Sequence, residues 1–327
     1  MKLATIPNGS RDGALAVVSR DLTRMTSAEA IAPTMQAALE RWSDVEAPLR
    51  ALAERLEQGE GQPFDPATAL APFPRAWQWL DGSAFQSHGD LMSTVFGMEK
   101  LPYDQRPLMY QGVSDRFLAP TEDVALPSEA DGIDFEGEFG VVVDEVPLGT
   151  SAAGAEAHIK LILLINDWSL RTIAPVEMKT GFGWVQAKPP CSVAPVAVTP
   201  DELGVHWRDG RVCLNLDVHW NGERFGAANG GAMAFSFAQL VAHAARTRDL
   251  VAGTIIGSGT VSNADYRSVG SSCIAERRGI ELLDNGVAET PFMRFGDRVR
   301  MEASLPGASE TLFGAIDQRV VEARPAQ

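Results

Sequence analysis

The chain opens with short alternating runs, Lys2–Ile6 and residues 14–19, separated by Asn8-Gly9 and Arg11-Asp12-Gly13. Alternation suits a half-buried strand and the glycine pairs suit tight turns, so this is hairpin chemistry. From residue 34 to about 58 the period changes. Apolar residues recur at Met35, Ala38, Leu39, Trp42, Val45, Leu49, Leu52 and Leu56, the spacing of an amphipathic helix, opened by Pro33 and kinked or split at Pro48. Residues 59–74 are turn-rich and read as a linker. The pattern therefore predicts a small N-terminal α/β domain, residues 1–76, ahead of a larger one, residues 77–327.

Beyond Ile133 the strand period dominates. Runs over residues 135–143, 193–199, 212–220, 223–227, 254–260, 298–303 and 310–316 are rich in β-branched and aromatic residues, and Trp220-Asn221-Gly222-Glu223 marks a hairpin. Two stretches, residues 151–164 and 235–248, read as helices. Many strands with few helices make an α+β fold, predominantly β, without the strand–helix alternation of a doubly wound sheet.

Composition narrows the class of partner. Among 327 residues, 45% are hydrophobic and 22% charged, as in ordinary globular proteins, and the net charge is −15. Such a charge predicts no nucleic-acid partner and no anionic membrane surface. A small anionic substrate still fits, because a divalent cation and a few arginines reverse the potential locally. Cys191, Cys213 and Cys273 are odd in number and scattered, which gives neither a disulfide framework nor a zinc cluster and points to a reduced, cytoplasmic protein. The first apolar run is too short for a signal peptide, and no stretch approaches the ~18 apolar residues of a spanning helix.

The chemistry begins at Glu136 and Glu138, inside the apolar stretch Ile133-Asp134-Phe135-Glu136-Gly137-Glu138-Phe139. Residues i and i+2 of a strand project from one face about 6.5–7 Å apart. Two buried like charges at that distance need a cationic partner, either a bound metal or a strong base. Asp167 ends another apolar run, and Asp81 offers a further carboxylate. Carboxylate oxygens in this number suit a hard divalent cation. The plainer alternative is a set of solvated acids on an edge strand.

Several motifs resemble the fumarylacetoacetate hydrolase family. Glu136-Gly137-Glu138 resembles its Glu-x-Glu metal pair, and Asn166-Asp167-Trp168-Ser169-Leu170-Arg171 its Asn-Asp-(Trp/Val)-Ser-x-Arg motif. Lys188-Pro189-Pro190, Gly257-Ser258-Gly259-Thr260 and Gly270-Ser271-Ser272-Cys273-Ile274-Ala275-Glu276 follow in the family's order. The resemblance runs from about Asp81 to the carboxyl terminus. It implies a mixed β-sandwich roll, a homodimer, and a divalent cation, Mg²⁺ first with Ca²⁺ or Mn²⁺ as alternatives, held by Asp81, Glu136, Glu138 and Asp167. His88, seven residues after Asp81, resembles the general base, with Glu276 as its orienter. Lys188 and Arg171 resemble the cations beside the metal and substrate, while Tyr110, Thr260 and the Ser83 position fall on substrate contacts.

These parts imply metal-dependent hydrolysis of a carbon–carbon bond in a small anionic diketo acid, with fumarylacetoacetate in aromatic amino-acid catabolism as the first expectation. Fumarylpyruvate or acylpyruvate hydrolysis, or decarboxylation or isomerisation on the same metal site, is the enzymatic alternative, and a non-catalytic metal-binding module is the alternative from another class. The chain departs from the animal-type pattern around the substrate and beside the metal. Ala174 replaces a glutamine that helps stabilise the alkoxide, Ser83 a substrate tyrosine, and Cys191-Ser192 a Gly-Thr pair near the metal. No arginine has the spacing of the family's carboxylate anchor, which leaves Arg106, Arg116 and Arg267 as candidates. His88-Gly89-Asp90-Leu91 lacks the His-x-x-Glu of the short, lid-type members, which favours the fumarylacetoacetate-type arrangement.

Overall fold

The structure, a computed structural model, describes residues 1–96, 106–308 and 310–324. Among these residues the main element is an eleven-stranded mixed sheet. Its order runs Gln62–Pro63, Arg24–Ser27, Ala14–Val18, Lys2–Ile6, Val196–Val198, Ile159–Asn166, Gly137–Val143, Thr254–Gly257, Trp79–Gly82, Met109–Gly112, with Ser192–Val193 also paired to Ile159–Asn166. Neighbours are antiparallel except Thr254–Gly257 beside Trp79–Gly82. A second sheet orders Glu223–Asn229, Asn215–Trp220, Arg298–Glu302, Ile316–Glu322 and Val124–Leu126.

The two faces of the large sheet bury into different cores. On one face Val142, Leu161, Leu163 and Ile165 join Met35, Leu39, Trp42, Val45 and Leu49 of the N-terminal helices. On the other Phe139, Val141, Ile162 and Leu164 join Leu216, Val218, Val299, Met301 and Ile316 of the second sheet. The central strands are thus sandwiched, and the observed architecture is the strand-dominated α+β fold that the pattern predicts. No helix among the described residues is long and apolar enough to cross a membrane.

Double burial also explains a wrong expectation. Residues 151–164 form no long helix; a single turn, Ala152–Ala155, precedes the strand Ile159–Asn166. A strand covered on both faces reads as a continuous apolar run, which periodicity cannot separate from a buried helix. The expected strand at 310–316 is displaced to Ile316–Glu322. The helices not anticipated include two long ones, Gln86–Phe96 and Ile274–Asn285, and the short Ala174–Thr180.

In the N-terminal segment the helix breaks at Glu40 and Arg41, giving Met35–Leu39 and Trp42–Glu57, and it runs on through Pro48. Burial of Val45, Leu49 and Leu56 holds the helix across the proline. Residues 59–74 are packed as well, with Phe64, Ala69, Ala71 and Phe73 buried. Lys2–Ile6 pairs with Val196–Val198, so the N-terminal residues share a sheet with the rest of the chain.

Candidate metal and acid–base site

One end of four adjacent strands collects the acids. Glu138 lies near the start of Gly137–Val143, Asp167 directly after Ile159–Asn166, and Asp81 in Trp79–Gly82, where it is the cross-strand partner of Tyr110. The strand between them, Thr254–Gly257, ends in glycine for a steric reason. A Cβ on Gly257 would lie 2.4 Å from Asp81 Oδ1, and one on Gly259 would lie 2.3 Å from the Gly82 carbonyl oxygen. Gly259, at φ +76°, donates its N–H to Asp81 Oδ1 at 2.9 Å. Thr260, buried beside it, precedes Val261, whose N–H is bonded to the Gly137 carbonyl.

Asp81, Glu138 and Asp167 are all buried and each offers an oxygen within 4.8 Å of the other two. Both oxygens of Glu138 are buried with no hydrogen-bond partner. Burial, then the charges of Asp81, Asp167 and Glu136, push the Glu138 carboxyl well above the usual carboxylate range. Burial first and Asp167 second push Asp81 up to about 8. Asp81 and Glu138, both driven up, carry charge together only with a further cation beside them. Acid oxygens alone, partly orphaned and fully desolvated, fit a hard divalent cation.

Glu136, expected as a fourth ligand, is placed differently. Lys188 Nζ donates to its Oε2 at 2.6 Å and to Asp167 Oδ2 at 2.6 Å, while Arg171 Nη2 donates to its Oε1 at 2.5 Å. Burial works against its charge, but Lys188 and Arg171 outweigh that and hold its carboxyl down to about 2. Lys188 is in turn kept above the ordinary lysine range, since Asp167 and Glu136 outweigh its desolvation. Its ammonium also lies 5.4 Å from the Tyr110 ring and 5.5 Å from the Trp184 ring. Tyr110 donates its hydroxyl to Asp167 Oδ2 at 2.5 Å and packs on Trp184 at 4.8 Å between ring centroids.

The two unforeseen helices complete the site. His88 sits on Gln86–Phe96 and Glu276 in the first turn of Ile274–Asn285, and the helices pack together. His88 Nδ1 lies 2.8 Å from Glu276 Oε2, with the glutamate fully buried and the imidazole partly exposed. His88 is near enough for its charge to act on Glu136. Ser83 follows Asp81 by two residues, and its N–H bonds the Leu108 carbonyl.

Other expected positions lie elsewhere. Ala174 opens a short helix, Ala174–Thr180. Arg116 is paired with Glu122, and Arg267 with Asp284 at 2.6 Å, both side chains exposed. Arg106 is exposed too. Sequence reasoning missed Asp134, whose carboxylate accepts from Arg171 Nε at 2.8 Å. It also missed Trp184, whereas Cys191, singled out in the sequence, has its thiol donating to Asp167 Oδ1 at 3.0 Å. A signal for Asp134 was present, because Asp134, Glu136 and Glu138 alternate along one stretch.

A sheet end lined by acids, a held lysine and a histidine–glutamate pair on a strand-rich fold is an arrangement that can hold a hard cation and move a proton. Residues 78–321 match the family described as fumarylacetoacetate (FAA) hydrolase C-terminal, and residues 1–75 match fumarylacetoacetase N-terminal domain 2. The chain belongs to the fumarylacetoacetate hydrolase family, whose members act as hydrolases or isomerases. It is 31% identical over 163 residues to 2,4-didehydro-3-deoxy-L-rhamnonate hydrolase of Sphingomonas sp. strain SKA58, covering 49% of this chain and 54% of that one. It is 24% identical over 165 residues to the human mitochondrial oxaloacetate tautomerase FAHD2B, covering 50% of each. The chain thus spans about half the length of these curated relatives. Its fold matches that of maleylpyruvate hydrolase from Sphingobium sp. SYK-6, solved with manganese(II) and pyruvate, with TM-score 0.66, 17% identity and coverage of 99% of this chain and 100% of that one.

Proposed function

We propose that this protein hydrolyses a carbon–carbon bond in a small β-diketo acid, with fumarylacetoacetate as the first substrate and fumarate and acetoacetate as products. The observation that carries the reading is the buried Asp81–Glu138–Asp167 triad together with the His88–Glu276 pair. A divalent cation held by the triad would supply positive charge to the two oxygens of a 1,3-dicarbonyl group. Magnesium is the first candidate, and the manganese-bound relative supports the same class of ion. Glu136 can join as a fourth ligand, because each of its oxygens keeps a lone pair beside its bond to Lys188 or Arg171.

The protein's own groups then divide the work. With Nδ1 bonded to Glu276, His88 has Nε2 left to take a proton from water, and the buried carboxylate stabilises the resulting imidazolium. The water oxygen bonds to one carbonyl carbon and the bond to the central carbon breaks. That central carbon leaves as a carbanion and recovers the proton from His88, so one water is consumed and an acid and a ketone are released. Lys188 and Arg171 offer fixed positive charge to the alkoxide, and Thr260, Tyr110 and the Ser83 position serve substrate contact.

An acylpyruvate is the second reading. It is favoured by Ala174 and Ser83, which remove two anchors of the animal-type enzymes, and by the full-length fold match to a maleylpyruvate hydrolase. We take the working unit to be a cytoplasmic homodimer. The test follows loss of diketone absorbance with fumarylacetoacetate and, separately, fumarylpyruvate, with Mg²⁺ and then with excess chelator. His88→Ala should cut kcat by about 10²–10⁴-fold. Turnover that survives exhaustive chelation, or a His88→Ala variant near native rate, would overturn the reading.

A further inference from the structure

We propose that Asp134 is a positioning residue: by capping the helix Ile274–Asn285 from a distant strand, it anchors the turn from which Glu276 holds His88. This rests on the histidine–glutamate pair of the proposed function. Asp134 is fully buried. Its Oδ1 accepts the Ile274 N–H at 2.7 Å, and its Oδ2 accepts the Ala275 N–H at 2.9 Å and Arg171 Nε at 2.8 Å. The next donor, the Glu276 N–H, goes to Cys273 Sγ at 3.3 Å. The first-turn donors are therefore satisfied without Glu276.

That assignment matters because of where Glu276 sits. A glutamate at the third helical position can turn back onto the N–H of its own N-cap, here Cys273, as in a capping box. Here its Oε2 points to His88 instead. The next two donors, the Ile274 and Ala275 N–H groups, which such a box leaves open, go to a carboxylate 140 residues away in sequence, and that charge favours the helix N-terminus electrostatically as well. Remove it, and the N–H groups of Ile274 and Ala275 lose their acceptor in a buried setting, where an unpaired donor is costly. The first turn then loses its anchor, and Glu276, which that turn carries, loses its fixed reach to His88. Asp134 also sets the Arg171 fork that reaches Glu136. One buried side chain thus ties the acid–base pair to the ion-paired side of the site.

The test uses the full chain labelled with ¹⁵N-histidine, in chelator, with Asp134→Asn as the variant. Asparagine keeps the shape but leaves one oxygen to accept where two now serve three donors. In the native protein a downfield imidazole N–H proton should appear that is absent from His88→Gln. In Asp134→Asn that proton should disappear or move upfield while the other histidine signals stay in place. On whichever diketo acid the native enzyme consumes, kcat should fall about 10- to 100-fold with KM within about threefold. Mn²⁺ affinity should stay within about threefold, since the triad is untouched.

A folded Asp134→Asn protein with the His88 proton unmoved and kcat within twofold would overturn the proposal. The proton signal needs no substrate, so failure of the proposed reaction leaves this arm decisive. If the variant does not fold, native-state exchange decides in its place. The Ile274 and Ala275 amides and the His88 proton should become exchangeable together as urea rises, and a His88 proton that persists after both amides have exchanged freely would refute the link.

Discussion

Glu136 and Glu138 are two residues apart, one just before the strand Gly137–Val143 and one inside it, both buried, and they meet opposite electrostatic fates. Glu136 has each oxygen on a cation, and its carboxyl is held down to about 2 against the pull of burial. Glu138 faces only acids, has no partner at either oxygen, and is held well above the ordinary range by burial and its neighbours. One half of the site is thus complete in the protein alone, and the other half is built for something added. Burial by itself does not say which way an acid is driven; the sign of the nearest charge does.

The largest effect should come from the incomplete half. Exhaustive chelation, or Glu138→Ala, is expected to reduce turnover by at least about 10³-fold, on the scale of the several kcal/mol a bound cation contributes. Added Mg²⁺ or Mn²⁺ should restore the chelated native protein and not the variant. If Glu138→Ala still binds Mn²⁺ in a calorimetric titration with native affinity, the two halves are not distinct in this way.

Stability of the cation-free protein should separate the two glutamates by sign. Glu136→Gln removes one of the two carboxylates on each of Lys188 and Arg171, which keep Asp167 and Asp134, and is expected to lose about 3 kcal/mol in urea unfolding, at the low end for removal of one member of a buried ion pair. Glu138→Gln removes a carboxyl that nothing neutralises and should leave stability unchanged or raised. Equal losses from both substitutions would break the comparison. The smallest effect belongs to Tyr110→Phe, which deletes one hydrogen bond to Asp167. It should raise KM about fivefold, near 1 kcal/mol, with kcat little changed.

Much of the fold was legible. The amphipathic spacing from Met35 to Leu56 located the N-terminal helices, and Asn221-Gly222 located the hairpin between Asn215–Trp220 and Glu223–Asn229. The failures share a cause. Ile159–Asn166 was misread because both its faces are buried, and no local pattern records what covers a strand. The helices Gln86–Phe96 and Ile274–Asn285 were missed because serine, glycine and charged residues blur their apolar faces.

The residue pattern alone set Glu136 and Glu138 two residues apart in an apolar stretch, the spacing that repeats on one face of a strand whatever surrounds it. By motif order it also pointed to His88, Lys188, Arg171 and Glu276 as residues of one site. Only the tertiary structure decided that Lys188 and Arg171 go to Glu136 and leave Glu138 bare, and that His88 meets a glutamate 188 positions away. It alone made Asp134, which looks like one more acid in the run, the cap of a helix 140 residues downstream. The physical reason is range: periodicity is fixed by backbone geometry within a few residues, whereas charge pairing and desolvation depend on whatever the folded chain brings within hydrogen-bond distance.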